Sequence, residues 1–469
     1  MRMMDRLGQR VLKRGLISNN DLKRALERQR LYGGRIGFNL TALNLITESE
    51  LSEFFKFTPH KPNNVTETGI ELGIITDLIL KHCLFLKTFT IEHLTNKTRL
   101  SFPIINHIIN DLRKDNFIEI VKGDTSFATS LYEYRMTDSG INRALQIMEE
   151  CRYVGPAPVS LDEYRYAIEI QTIKAIEVTF EDLKKTFSDI VVSDEQIEIY
   201  GSAINSAKPI FLYGPAGNGK TTIAESIGHS LPGEVYVPYS VLVGNQIIVV
   251  YDQVNHKAVD SKDSGDHLDK RWIKINRPVV LAGGELTLKT LDLDFNSDSK
   301  YYEAPLQMKA NNGLFIVDDF GRQVVDAQTL LNRWIIPLDR QTDYLTLHTG
   351  MKFKIPFDQL VIFATNLPPK KIADEAFLRR LRYKIRIDYP TIEEFREIFK
   401  NICIYNKITF NEDVFNYLTD KYKRSQRKIS CCHPRDLIDQ IIDFAHFRQK
   451  LPEITKDSID KTWGHYFVD

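Results

Sequence analysis

One stretch constrains this chain more than any other. Gly214, Pro215, Ala216, Gly217, Asn218, Gly219, Lys220 and Thr221 are consecutive, and Thr222 opens the segment that follows. An apolar run at 209–213 precedes them and a helix-like run at 222–228 succeeds them. A short buried strand, a glycine-rich turn and a helix start form a loop whose successive N–H groups converge on one point, where phosphate binds. The pattern predicts a bound nucleoside triphosphate held by residues 214–222. Lys220 is expected against the β and γ phosphates, and the Thr221 hydroxyl in the shell of a Mg²⁺ ion.

The chain around this loop has 469 residues, 43% of them hydrophobic and 26% charged, which is the composition of a soluble protein with several domains. A formal net charge of +0 supplies no global field toward nucleic acid or membrane. Cys83, Cys151, Cys403, Cys431 and Cys432 are scattered without a C-x-x-C spacing. That suits a reducing cytoplasm better than a disulfide framework or a zinc site. Residues 1–14 are charged throughout, so no leader is expected. The most apolar window, 69–86, is broken by Glu71, Asp77 and Lys81 and predicts no membrane span.

The first sixty residues repeat at an offset of about 29 positions. Arg6, Leu7 and Gly8 match Arg35, Ile36 and Gly37, and the run 15–18 matches 44–47. Each unit reads as a short helix closed by Gly15 or Asn44, then a helix opened by Ser18 with Asp21 or Thr47 with Glu50. From 1 to 35 there are about ten basic and three acidic side chains. The first unit, ending at Gln29, resembles the N-terminal domain of type II secretion and type IV pilus ATPases. That resemblance implies cyclic di-GMP binding, with Arg6, Leu7, Gly8, Gln29, Arg35 and Gly37 as the positions to carry it. The second copy departs from the pattern at Asn44, Phe55 and Thr58.

A polar stretch at 60–64 separates this unit from helix-like runs at 75–89, 90–96 and 102–115. Strand-like runs at 118–122 and 131–136 and a last helix at 138–150 follow. That order describes a winged helix-turn-helix, and residues 132–140 resemble the wing exit of that family. About ten basic side chains face a slightly larger number of acidic ones, and 102–109 is apolar where a groove-reading helix would begin. Contact with protein is therefore expected ahead of contact with DNA. Residues 151–166, with Gly155, Pro156 and Pro158, read as a linker.

Two further strands end in polar groups. Residues 313–317 run into Asp318 and Asp319, and 361–365 run into Asn366. Asp318 is expected to hold Mg²⁺ through water, Asp319 to polarise the attacking water, and Asn366 to reach the γ-phosphate or that water. Arg379, Arg380 and Arg435 follow. Taken in order, these segments resemble the AAA+ ATPase family over about 199–445: Walker A, Walker B, sensor 1, arginine finger and sensor 2. The resemblance implies that Arg379 and Arg380 reach a neighbouring subunit's ATP and that Arg435 covers the γ-phosphate from the lid. It also implies a homo-oligomer, usually a ring of six. The second Walker B acid is usually glutamate, so Asp319 is one methylene shorter. Tyr236, Tyr239 and Tyr251 lie among strand-like insertions before Asp318 and are candidates for gripping a substrate.

The expected architecture is multidomain. An all-α tandem-repeat domain (1–60) and an α+β winged helix (68–152) lead through a linker (153–180) to an α/β P-loop AAA+ core with β-hairpin insertions (181–390). An α-helical lid (391–469) closes the chain. The expected function is ATP hydrolysis coupled to remodelling of a macromolecule, with residues 1–150 receiving a protein substrate or adaptor. The alternatives are an ATP-regulated DNA-binding regulator and a low-turnover, nucleotide-dependent scaffold.

Overall fold

The order of five core strands decides where chemistry can occur. The computed structural model describes residues 8, 11–12, 14–33, 36–122, 132–259, 265, 267–372 and 375–467. Its central sheet contains β1 (Ile210–Tyr213), β2 (Val279–Ala282), β3 (Leu314–Val317), β4 (Leu360–Thr365) and β5 (Tyr383–Arg386). They lie in the order β5-β1-β4-β3-β2, every neighbouring pair parallel. All residues of β3 and β4 are buried, as unbroken apolar runs require when helices cover both faces. Alternation sorts the side chains. Ile210, Leu212, Leu314, Ile316, Ile362 and Ala364 share one core with Ile223, Ala224 and Ile227 of helix α1 (Lys220–His229). Phe211, Phe315, Val317, Val361 and Phe363 face the other way, onto Leu330, Leu331 and Trp334 of helix α2 (Ala327–Arg340).

Four helices end the described chain: α3 (Ile392–Tyr405), α4 (Glu412–Arg424), α5 (His433–Phe447) and α6 (Lys456–Tyr466). They enclose their own core around Phe395, Phe399, Phe415, Leu418 and Leu437. Thr391 with Glu394 and Thr455 with Ser458 close capping boxes at two of the starts.

Near the N-terminus, helices span Asn19–Tyr32 and Glu48–Phe54, a separation equal to the repeat offset. Ser18 and Asp21 exchange both capping hydrogen bonds, and so do Thr47 and Glu50. Gly15 (φ +73°) and Asn44 (φ +51°) take the left-handed conformation that ends the preceding helices. Phe57 then anchors this unit to the rest of the molecule. Its ring meets Tyr166 at 6.4 Å, Tyr236 at 6.3 Å and Trp272 at 5.1 Å, all edge-on.

The next unit has helices Leu72–Leu84, Ile91–Thr98 and Phe102–Lys114. An antiparallel ribbon of Ile118–Lys122 and Glu133–Met136 follows, and the helix Asp138–Glu150 closes it. The apolar start of Phe102–Lys114 has a different meaning from the one its sequence suggested. Ile104, Ile105, Ile108 and Ile109 are all buried, so that apolarity belongs to the unit's core and not to its outer face.

The segment 153–180, whose Gly and Pro content read as a linker, is built into the fold. Val159–Ser160 pairs parallel with Val241 and Leu242, at the edge of a second five-stranded sheet. Helix Leu161–Ile170 buries Tyr164, Ala167 and Ile168 against that sheet. Arg271, 1% exposed, holds the junction. It forms two-pronged bonds with Asp269 (Nη2–Oδ2 2.8 Å) and donates Nη1 to Thr68 O (3.1 Å) and Pro158 O (3.0 Å). A buried guanidinium persists only when its donors are occupied, as these are. No helix among the described residues is long and apolar enough to cross a membrane.

Candidate phosphate-binding site

β1 ends at Tyr213 and the chain turns at once. A Cβ on Gly214 would lie 1.9 Å from the Ile387 carbonyl oxygen, so only glycine fits there. Gly217 (φ +76°) and Gly219 (φ +81°) are left-handed, and Gly219 is the N-cap of α1. The first N–H groups of α1, on Lys220, Thr221 and Thr222, thus lack intrahelical acceptors and carry the helix's partial positive charge. Pro215 and Ala216 complete the turn, and Thr222 is exposed beyond it.

Lys220 is 7% exposed, and its Nζ donates to Pro215 O at 2.7 Å. Burial draws its ammonium below the ordinary lysine value, while the Asp318 and Asp319 carboxylates oppose that shift. The Thr221 hydroxyl donates to Asp318 Oδ2 at 2.8 Å. A hydroxyl and a carboxylate side by side are the hard oxygen donors that suit Mg²⁺, which takes few protein ligands and shares the rest with phosphates and water. No group of three or more His, Cys, Asp or Glu side chains among the described residues could hold a metal ion unaided.

Asp318 and Asp319 follow β3, and Asn366 follows β4, the strand between β3 and the loop strand β1. Asp319 is left-handed (φ +46°) and exposed. The Asn366 amide donates to its Oδ1 at 2.9 Å, and its own N–H donates to Asp318 Oδ1 at 2.9 Å. Sequence reasoning missed the groups that fix this turn. Thr365 Oγ1 donates to Phe320 O at 2.7 Å, and Gln323 Nε2 donates to Asp318 O at 2.9 Å. Their only trace in the sequence is a hydroxyl and an amide close to a strand end, a pattern too common to single out.

Lys220, Thr221, Asp318, Asp319 and Asn366 are therefore brought together. The arginines are placed differently. Arg380 Nε pairs with Asp339 Oδ2 at 2.8 Å, near the end of α2, whereas Arg379 is exposed. Arg435 is exposed in the first turn of α5, just after residues 430–432, which touch the loop through Asn218 and Gly217. Nothing in the sequence near 430–432 pointed to that contact. Tyr239 and Tyr251 pack on each other at 5.3 Å, and Tyr236 meets Phe57, so all three have partners within the chain.

The cyclic di-GMP positions are only partly in view. Arg6, Leu7 and Arg35 lie outside the described residues. Gly8 and Gly37 are buried, and a Cβ on Gly8 would meet Leu22 Cδ1 at 2.4 Å, so that glycine serves close packing. Gln29 is half-buried on helix Asn19–Tyr32.

A sequence family described as a domain of unknown function (DUF8689) matches residues 391–465, the span of α3 to α6. No curated protein matches the chain. Among solved structures, the chain is similar to the RuvB Holliday junction branch migration motor of Thermotoga maritima. The identity is 15%, over 62% of this chain and 71% of that one, with a TM-score of 0.32. It is similar to NtrX from Brucella abortus at 16% identity, over 61% of this chain and 59% of that one, TM-score 0.38. It is also similar to domain III of the replication initiation protein DnaA of Thermotoga maritima, at 14% identity, over 61% and 98%, TM-score 0.35. What the chain itself presents is a glycine-rich loop at a helix start, on which one lysine, one hydroxyl, two carboxylates and one amide converge.

Proposed function

We propose that the chain is an ATP-hydrolysing AAA+ motor that works as an oligomer on a protein partner. One observation carries the reading: the 2.8 Å bond from Thr221 to Asp318 joins the phosphate-loop helix to the end of β3. It is reinforced by Asn366, which reaches Asp319 from the intervening strand. In this reading the loop N–H groups cradle the phosphates and Lys220 sits against the β and γ phosphates. Thr221 and, through water, Asp318 would hold Mg²⁺, which when bound would neutralise charge on the phosphate oxygens. Asp319 accepts a hydrogen bond from the attacking water and aligns it with the γ-phosphate, and Asn366 holds that carboxylate in place.

Arg379 is the residue we assign to a neighbouring subunit's ATP, since Arg380 is tied to Asp339. An arginine supplied in trans compensates the charge that one subunit leaves exposed at the γ-phosphate. Activity per chain is accordingly expected to rise with protein concentration. A mixture of Arg379→Ala and Lys220→Ala chains is expected to hydrolyse ATP where neither parent does, because mixed interfaces contain one intact site. A concentration-independent rate from a chain shown monomeric by ultracentrifugation would exclude the trans role.

The unit at 72–150 is read as the winged-helix module that meets the partner, and the partner as protein. On the outer face of helix Phe102–Lys114, Phe102, Pro103, His107 and Lys114 are exposed. Two of the three basic groups on this helix approach one carboxylate: Lys114 lies 2.8 Å and His107 3.7 Å from Asp111, while Arg113 beside them is half-buried. A DNA reader leaves its cations for phosphate. Affinity of the full chain for duplex DNA is expected to be weak at 50 mM salt, and tight binding lost steeply by 200 mM would reverse the assignment, those being about the limits over which phosphate contacts show themselves.

A further inference from the structure

Backbone carbonyls on the outer rim of a phosphate-binding loop turn away from the space its N–H groups enclose, and they need donors of their own. Here one buried side chain and one segment of the C-terminal helical unit provide them. Asn218 is 3% exposed, and its Nδ2 lies 3.4 Å from both Pro215 O and Ala216 O. Its Oδ1 accepts from the Ser430 hydroxyl at 3.1 Å and the Cys431 N–H at 3.1 Å. Ser430 Oγ also lies 3.3 Å from Ala216 O, and the Cys432 N–H donates to Gly217 O at 2.9 Å.

The fit is close as well as polar. A Cβ on Gly217 would stand 2.6 Å from Cys432 Sγ and 2.8 Å from Ser430 Oγ. The segment 430–432 is itself shaped from below, because His433 Nδ1 accepts the Ser430 N–H at 3.2 Å and lies 2.9 Å from the Tyr422 hydroxyl. Three successive loop carbonyls, on Pro215, Ala216 and Gly217, are thereby engaged.

We propose that Asn218 and Ser430 are positioning residues: together they clamp the helical unit to the loop's rim and fix its peptide planes so that the N–H groups face the phosphate chain of a nucleoside di- or triphosphate. The proposal rests on the nucleotide-binding reading above and deepens it, since affinity for the phosphate chain is then set partly from the C-terminal unit. Lys220 adds a reason for the clamp. Its ammonium shares Pro215 O with the Asn218 amide. Once Lys220 turns to phosphate, Asn218 remains the donor to that carbonyl. A peptide plane left without its outer partner can rotate, and its N–H then leaves the cradle.

The test is calorimetry of ATP, ADP and AMP on the full chain: wild type, Asn218→Ala, Ser430→Ala and the double variant, each shown folded by circular dichroism. Each single substitution is expected to weaken ATP and ADP about tenfold, or ~1.4 kcal/mol. The gain in affinity from AMP to ADP should shrink by the same factor. The loss in the double variant should fall short of the sum of the two single losses, because either substitution already removes the Ser430–Asn218 contact. A general loss of structure would instead weaken all three nucleotides alike. Should Asn218→Ala not fold, Ser430→Ala, which deletes one hydroxyl, carries the test by itself. Variants that bind ATP and ADP within twofold of wild type would overturn the clamp alone. A wild-type chain that binds neither nucleotide would overturn the nucleotide reading and the clamp with it.

Discussion

Lys220→Ala is expected to weaken ATP binding by two orders of magnitude or more while leaving the fold intact. The side chain is 7% exposed and, among the described residues, its hydrogen bond is to its own loop, at Pro215 O, so the sheet and helices do not depend on it. Its proposed role is electrostatic. Charge-assisted hydrogen bonds contribute about 1.5–3 kcal/mol each, and an ammonium between β and γ phosphates makes at least one to either side. Its removal also leaves the Asp318 and Asp319 carboxylates facing the phosphates with less compensation, which adds repulsion to the loss. Calorimetry with ATP and Mg²⁺ measures the change directly, with the thermal unfolding midpoint as control. An affinity within threefold of wild type, in a folded chain, would remove Lys220 from the phosphate site.

Asp319→Asn is expected to keep ATP affinity and lose turnover by about 10²- to 10⁴-fold, the range that general-base and water-orienting groups contribute. The substitution is nearly isosteric. It preserves the left-handed backbone at φ +46°, which Asn tolerates as well as Asp, and its carbonyl oxygen can still accept from Asn366 at the observed 2.9 Å. What disappears is the negative charge that, in the proposed mechanism, polarises water. Single-turnover cleavage of the γ-phosphate, measured by acid quench with the protein in saturating excess over ATP, separates this step from binding and product release. Unchanged single-turnover rates would take Asp319 out of the chemistry and leave it a turn residue.

Much of this was legible residue by residue. The glycine pattern at 214–219 called for a tight turn between a strand and a helix start, and β1 and α1 flank a turn in which Gly217 and Gly219 are left-handed. The helix starts at Ser18 and Thr47 carry the capping bonds that their spacing implied. Other segments were legible in pattern but not in meaning. Isoleucines at 104, 105, 108 and 109 read as an unusual surface for a groove-reading helix, yet all four face inward. Gly and Pro near 155–158 read as punctuation between domains, yet the residues after them are tied into the fold through Val159, Tyr164 and Ile168. Composition reports which residues avoid water; it does not report which neighbour covers them.

The division between sequence and tertiary structure follows from range. Glycine dihedrals, helix caps and strands ending in acids depend on residues within about four positions, so the loop, the helix starts and the turn at Asp318 and Asp319 are written locally. The rest needed distant segments to pack. The order β5-β1-β4-β3-β2 sets Asn366 beside the loop and brings Asp318 to Thr221 across 97 positions of chain. Packing alone ties Arg380 to Asp339 and leaves Arg379 exposed, although the two are adjacent in sequence. Packing likewise lays Ser430 against Asn218, 212 residues away, because the buried amide takes its partners from whatever surface closes over it.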